Sequence, residues 1–132
     1  MKISKIILIA LVTVTGIISC KKDKTEAQAQ TTNIEGRWVG TYINETSGNS
    51  FYYSFNIKPG GIIEELNSSG QKLGQGTWEL ENNILTAKYT WTSGSTYSVI
   101  GAFYKEDGKL LGDWGYGDNA TNGGTWEMHK QN

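Results

Sequence analysis

The sequence predicts an all-β protein that folds as an antiparallel, eight-stranded up-and-down β-barrel. Three observations support this prediction: a composition rich in glycine and aromatic residues, turn signals at regular intervals, and alternation of apolar with polar residues. The chain of 132 residues contains 17 glycines, 5 tryptophans, 7 tyrosines, 3 phenylalanines and a single proline. Its length suits one folded domain, and the composition is unlike that of a helical bundle.

Turn-forming residues divide the chain after residue 33 into eight segments, at the spacing of an antiparallel sandwich or barrel. The turns are predicted at 44–50, 58–61, 67–70, 81–83, 92–95, 106–108 and 117–119. The strands are predicted at 36–44, 51–58, 61–67, 72–81, 83–91, 96–105, 109–117 and 123–130. Such strands either close into a barrel or split into two sheets. Closure is favoured because it removes both exposed edges.

Period-two alternation is clearest in the second and fifth predicted strands. In the second strand, one face carries Phe51, Tyr53, Phe55 and Ile57. In the fifth strand, one face carries Leu85, Ala87, Tyr89 and Trp91. Each strand is therefore expected to turn one face to a core and the other to solvent.

A glycine precedes four of the five tryptophans by two positions. The repeats are Gly36-Arg37-Trp38, Gly76-Thr77-Trp78, Gly112-Asp113-Trp114 and Gly124-Thr125-Trp126. Residues two apart lie on the same face of a strand. Each glycine is therefore expected to make room for the ring and to allow the tight bend that a small barrel needs.

The first of these strands, Gly-Arg-Trp-Val-Gly-Thr-Tyr from Gly36 to Tyr42, resembles the opening Gly-x-Trp strand of the calycins. This superfamily contains lipocalins, fatty-acid-binding proteins and avidins, and the closer resemblance is to short lipocalin-like domains of bacterial lipoproteins. The resemblance covers about residues 34–132 and implies a lipocalin-like barrel with Trp38 packed at its closed end. The domain is shorter than an ordinary lipocalin, lacks the Thr-Asp-Tyr signature, and has Arg37 as its only arginine.

Residues 1–19 are predicted to be a lipoprotein signal peptide. Lys2 and Lys5 form a positive segment, and the apolar run 6–18 that follows is too short to span a bilayer, which needs about 20 residues. Ile-Ile-Ser-Cys, ending at Cys20, resembles the lipobox of bacterial type II signal peptides. In that motif the cysteine receives a lipid and becomes the new N-terminus, so a lipid anchor is predicted on Cys20.

Two other interpretations of Cys20 are an ordinary buried cysteine and half of an intermolecular disulfide. They are less favoured because the polar segment that follows has nothing to bury it. Residues 20–33 lack aromatic side chains and are predicted to form a lipidated flexible tether. The charged run after Cys20 also resembles export tags of surface lipoproteins in some Gram-negative groups. The expected location is the bacterial cell envelope, on the periplasmic or surface side of the outer membrane.

Charge and residue types disfavour several classes of function. From Cys20 onward the chain carries 10 basic side chains against 13 acidic ones, which argues against a nucleic-acid partner. His129 is the sole histidine and is expected on the surface of the last strand. A Cys/His zinc site is therefore excluded, and no metal or other cofactor is expected. The Gly-x-Ser-x-Gly elbow of serine hydrolases is missing as well.

Carboxylates are a further set of candidates, because a glycosidase needs only two that face each other. The candidates are Glu64, Glu65, Glu79, Glu81, Asp113 and Glu127. Most are expected on outward faces or in turns, as solvated charges. Asp113 lies in an aromatic stretch but is expected to point outward, and the turn at 117–119 is a commoner structure than a calcium site. An enzyme is therefore the least favoured class.

Aromatic side chains on the predicted inward faces are the candidate ligand-binding residues. They are Trp38, Tyr53, Phe55, Trp78, Tyr89, Trp91, Phe103, Trp114 and Trp126. An eight-stranded barrel is either just filled by side chains or able to hold one small ligand. The first hypothesis is therefore a barrel that binds a small apolar or amphipathic molecule. The alternative is a solid barrel that engages a protein or glycan partner, with Tyr52, Tyr104 and Trp91 as stacking surfaces.

Overall fold

A computed structural model of the protein describes residues 34–132. The predicted signal peptide (1–19) and the predicted tether (20–33), with the proposed lipid site Cys20, lie outside the described residues. Within the described part of the chain, no helix is long and apolar enough to cross a membrane.

The described chain forms eight strands, each within one residue of its predicted bounds at either end. They are Gly36–Asn44 (β1), Ser50–Lys58 (β2), Ile62–Leu66 (β3), Lys72–Glu81 (β4), Ile84–Trp91 (β5), Thr96–Tyr104 (β6), Lys109–Tyr116 (β7) and Gly124–Lys130 (β8). Every strand pairs antiparallel with the next one along the chain, and β1 also pairs with β8. The predicted all-β, closed up-and-down barrel is therefore confirmed, and the sheet has no free edge.

The hairpins alternate between the two ends of the barrel. The end that holds the start of β1 has short connections, including the turn Asn82-Asn83, where both residues have positive φ angles of 51° and 62°. Two such residues form the type I′ turn that matches strand twist. We call this end the closed end. The opposite end carries the longer loops 45–49, 67–71, 92–95 and 117–123, and we call it the open end.

The closed half of the barrel is filled by side chains. Trp38 and Phe55 are fully buried, and the ring of Trp38 meets that of Phe103 edge to face, with centroids 5.9 Å apart. Buried indole N–H groups bond backbone carbonyls: Trp38 Nε1 donates to Ile34 O at 2.7 Å, and Trp126 Nε1 donates to Asp113 O at 2.8 Å. The closed half is therefore a packed core without unsatisfied indoles.

The glycines that precede the tryptophans act differently from the expectation. A Cβ on Gly112 would lie 2.0 Å from the backbone oxygen of Ile100, so this glycine permits close approach of two strands. Room for a ring comes instead from Gly101, where a Cβ would lie 2.6 Å from Cζ2 of Trp126. Gly101 pairs with Gly112, which in turn pairs with Trp126. The space for a ring is thus supplied across strands rather than within one Gly-x-Trp motif.

Candidate functional site

A pocket of about 100 Å³ lies inside the barrel, between the packed core and the open end. The residues that line it are Tyr42, Asn44, Tyr53, Glu65, Tyr89, Trp91, Tyr97, Trp114 and Tyr116. A pocket of this volume has room for several waters or for a compact chemical group.

The nine predicted ligand-binding residues divide between the pocket and the core. Four of them line the pocket: Tyr53, Tyr89, Trp91 and Trp114. The other five belong to the packed core or pack against it: Trp38, Phe55, Trp78, Phe103 and Trp126. The sequence left open whether the barrel is filled by side chains or holds a ligand. The closed half is filled, and the open end contains a pocket.

Five lining residues were missed by the sequence analysis: Tyr42, Asn44, Glu65, Tyr97 and Tyr116. For the tyrosines a signal was present. Tyr42 shares a strand face with Trp38, and Tyr116 shares one with Trp114, because each pair is separated by an even number of residues. Extending the alternation of each strand to its open end would have found them.

Glu65 corrects an expectation, since this glutamate was placed with the solvated carboxylates. Only 4% of its surface is exposed, and it lines the pocket. Its neighbour Glu64 faces outward and forms an ion pair with Lys58, with Nζ and Oε1 2.9 Å apart. Adjacent residues of a strand point to opposite faces, so only one of the two glutamates can be solvated in this way.

Glu65 lies in a hydrogen-bonded group of neutral side chains. Trp91 Nε1 donates to Glu65 Oε2 at 2.6 Å, and the hydroxyls of Tyr53 and Tyr89 are 2.6 Å apart. Burial raises the pKa of Glu65, while hydrogen bonds from Trp91 and Tyr89 act in the opposite direction. Burial also raises the pKa values of Tyr53 and Tyr89 well above the usual tyrosine value, so both keep their protons.

Aromatic rings surround the pocket above this group. Centroid distances are 5.2 Å between Tyr42 and Trp114, 5.0 Å between Trp91 and Tyr97, and 5.2 Å between Trp114 and Tyr116. These contacts form a wall of five rings around Glu65. Large apolar side chains are also exposed on the strand ends at the open end: Ile43, Phe51 and Tyr116.

The lining of the pocket contains one acidic side chain and no basic one. No lysine, arginine or histidine occurs among the nine lining residues, and Glu65 is their one carboxylic acid. The loops of the open end contain Glu45 and Asp118, but neither lines this pocket. Asp118 forms an ion pair with Lys88, which extends from the outer face of β5.

The other residues considered for chemistry lie outside the pocket. His129 is exposed on β8, and Asp113 is on the outward side of β7, as expected. Glu79, Glu81 and Glu127 are exposed. Within residues 34–132, no group of three or more histidine, cysteine, aspartate or glutamate side chains is placed to hold a metal ion.

No protein-family model matches the chain, and no curated protein shows significant sequence similarity to it.

Proposed function

We propose that this chain is a membrane-anchored lipoprotein whose lipocalin-like barrel binds a small amphipathic ligand at its open end. The observation that supports this proposal is the pocket itself, which is walled by aromatic rings and contains one buried carboxyl group. Apolar walls with a small number of placed polar groups are typical of small-molecule sites. The filled core below limits the depth of entry, so a ligand places its head in the pocket and its remainder at the rim.

The alternative of a solid, macromolecule-binding barrel has less support. Of the three proposed stacking residues, Trp91 lines the interior pocket. Tyr52 lies near the open end and Tyr104 at the closed end, so the two do not form one surface. The pocket therefore favours a small ligand.

The proposed binding is tested by native mass spectrometry of the full chain, purified gently from the membranes of its host. We expect a co-purifying small molecule in the wild type. Tyr97→Leu, which removes a pocket wall, should lose it, whereas Tyr104→Leu, on the outer face of the same strand, should keep it. A wild-type protein that is always ligand-free, and shows no thermal shift with amines, fatty acids, haem or flavins, would contradict the proposal.

The proposed anchor is tested by feeding cells an alkyne-tagged palmitate and following its incorporation into the protein. We expect labelling and detergent-dependent extraction of the wild type, because each buried methylene contributes about 0.8 kcal/mol and several acyl chains make attachment effectively permanent. Cys20→Ala should lose the label completely, while Ser19→Ala, a small-residue exchange beside it, should retain it. Labelling of Cys20→Ala at the wild-type level would overturn the anchor.

A further inference from the structure

We propose that the ligand of the open-end pocket carries an organic ammonium group, held between the aromatic walls with the Glu65 carboxylate as its counterion. This inference deepens the proposed function and rests on it, because it specifies the chemistry of the group that enters the same pocket.

Within residues 34–132, Glu65 has no positively charged partner. Glutamate is almost never this deeply buried unless it is paired. Its hydrogen-bond partners, Trp91 and Tyr89, are neutral, and none of the lining residues is basic. A carboxylate has about four acceptor positions, so two donors leave room for further contacts. When Glu65 is ionised, the group that completes this site is therefore a cation.

The aromatic walls of the pocket also favour a positively charged group. The face of an aromatic ring carries partial negative charge and attracts an ammonium group by about 0.5 to 2 kcal/mol, and rings arranged as a cage recognise quaternary ammonium ligands. The rings above Glu65 are Tyr42, Trp91, Tyr97, Trp114 and Tyr116. The carboxylate head of a fatty acid would instead meet a negative group and electron-rich ring faces. The aromatic walls and the Glu65 carboxylate therefore both favour a positively charged group.

The size of the pocket limits which ammonium compounds can enter it. A volume of about 100 Å³ admits a compact headgroup rather than an extended chain. The ligand class is therefore an organic amine or quaternary ammonium compound with a compact head.

The inference also determines how binding depends on pH. Among the pocket residues, Glu65 is the only carboxylic acid, and the other titratable groups facing it are the tyrosines Tyr42, Tyr53, Tyr89, Tyr97 and Tyr116. Because burial raises the pKa of Glu65, its charge is lost at a higher pH than that of a solvated glutamate. The affinity for an ammonium compound should therefore fall on acidification.

Calorimetric titration of the full chain, in an uncharged detergent, tests this inference with two matched compounds. They are choline and the dimethylbutanol in which carbon replaces the nitrogen of choline. We expect choline to bind at least about tenfold more tightly than the neutral compound, in keeping with the strength of cation–π and ionic contacts. Glu65→Gln should reduce that preference to the part that the aromatic rings alone supply, while still binding the neutral compound. Glu64→Gln, which changes the adjacent outward glutamate, should keep the full preference.

Each other outcome has a defined meaning. Equal affinity for the two compounds in the wild type would overturn the ammonium assignment and leave small-ligand binding intact. Binding of neither compound would also overturn it, and the native mass spectrum would then decide whether the pocket is used at all. The wild type alone provides a second test. Its affinity for choline should fall as the pH falls, whereas its affinity for the neutral compound should not.

Discussion

Replacing Trp38 with alanine is expected to lower the free energy of unfolding by about 3–5 kcal/mol. Trp38 is fully buried at the closed end, where its ring contacts Phe103. The substitution leaves a cavity and removes the indole N–H that bonds Ile34 O at 2.7 Å. A buried carbonyl without its donor adds to the cost of the cavity. Because domains of this kind are stable by only about 5–15 kcal/mol, this single change removes a large share of the stability.

Urea denaturation followed by circular dichroism provides the measurement. Tyr104→Ala serves as the control, since this aromatic residue is 46% exposed on the outer side of β6 and should change the free energy of unfolding by less than about 0.5 kcal/mol. A loss below about 1 kcal/mol for Trp38→Ala would contradict the packing described for the closed end.

The strands and their closure were predictable because the signals for them are local. Turn residues and period-two alternation are properties of short segments, and closure follows from the need to pair the edges of the sheet. The turn before β5 illustrates this, because two consecutive asparagines adopt the positive φ angles that a tight hairpin requires.

The orientation of β3 was not predictable in the same way. In its sequence, Ile-Ile-Glu-Glu-Leu, strict alternation places Ile62, Glu64 and Leu66 on one face and Ile63 and Glu65 on the other, so alternation alone favours the wrong face as the inward one. The orientation is fixed by pairing with distant residues: Phe55 lies opposite Glu65, and Asn56 lies opposite Glu64. A register shift between Glu65 and Leu66 ends the regular alternation. The inward position of Glu65 was therefore not predictable from the sequence of β3 alone.

The division into a solid half and a pocket also depends on contacts across strands. Trp126 fills the interior where Gly101 leaves space for its ring. Trp91 also lies on an inward strand face but turns its indole toward Glu65. Both are tryptophans on inward faces, and their different roles follow from neighbours on other strands. Composition predicts the aromatic interior, while the three-dimensional pairing decides where it remains open.

Glu65→Gln is expected to increase stability at neutral pH and to remove part of its pH dependence. Because burial raises the pKa of Glu65, the folded protein holds this proton more tightly than the unfolded chain does. The contribution of protonated Glu65 to the free energy of unfolding is fully present below the ordinary glutamate pKa. It is lost as the pH rises through the raised pKa of the folded state. Each pKa unit of elevation corresponds to about 1.4 kcal/mol. Glutamine has the same shape and can still accept the Trp91 hydrogen bond without becoming charged.

The measurement is the difference in unfolding free energy between the wild type and Glu65→Gln, obtained by urea denaturation from acid to neutral pH without ligand. Taking this difference separates the effect of Glu65 from that of Glu64, which has the opposite sign. Lys58 lowers the pKa of Glu64, so Glu64 stabilises the fold above the ordinary glutamate pKa. Glu64→Gln should accordingly reduce stability at neutral pH. A Glu65→Gln difference that is constant with pH would show that Glu65 is solvated like its neighbour. A difference that grows with pH, and shrinks when choline is added to the wild type, is the result expected of a buried carboxylate that lacks its cation.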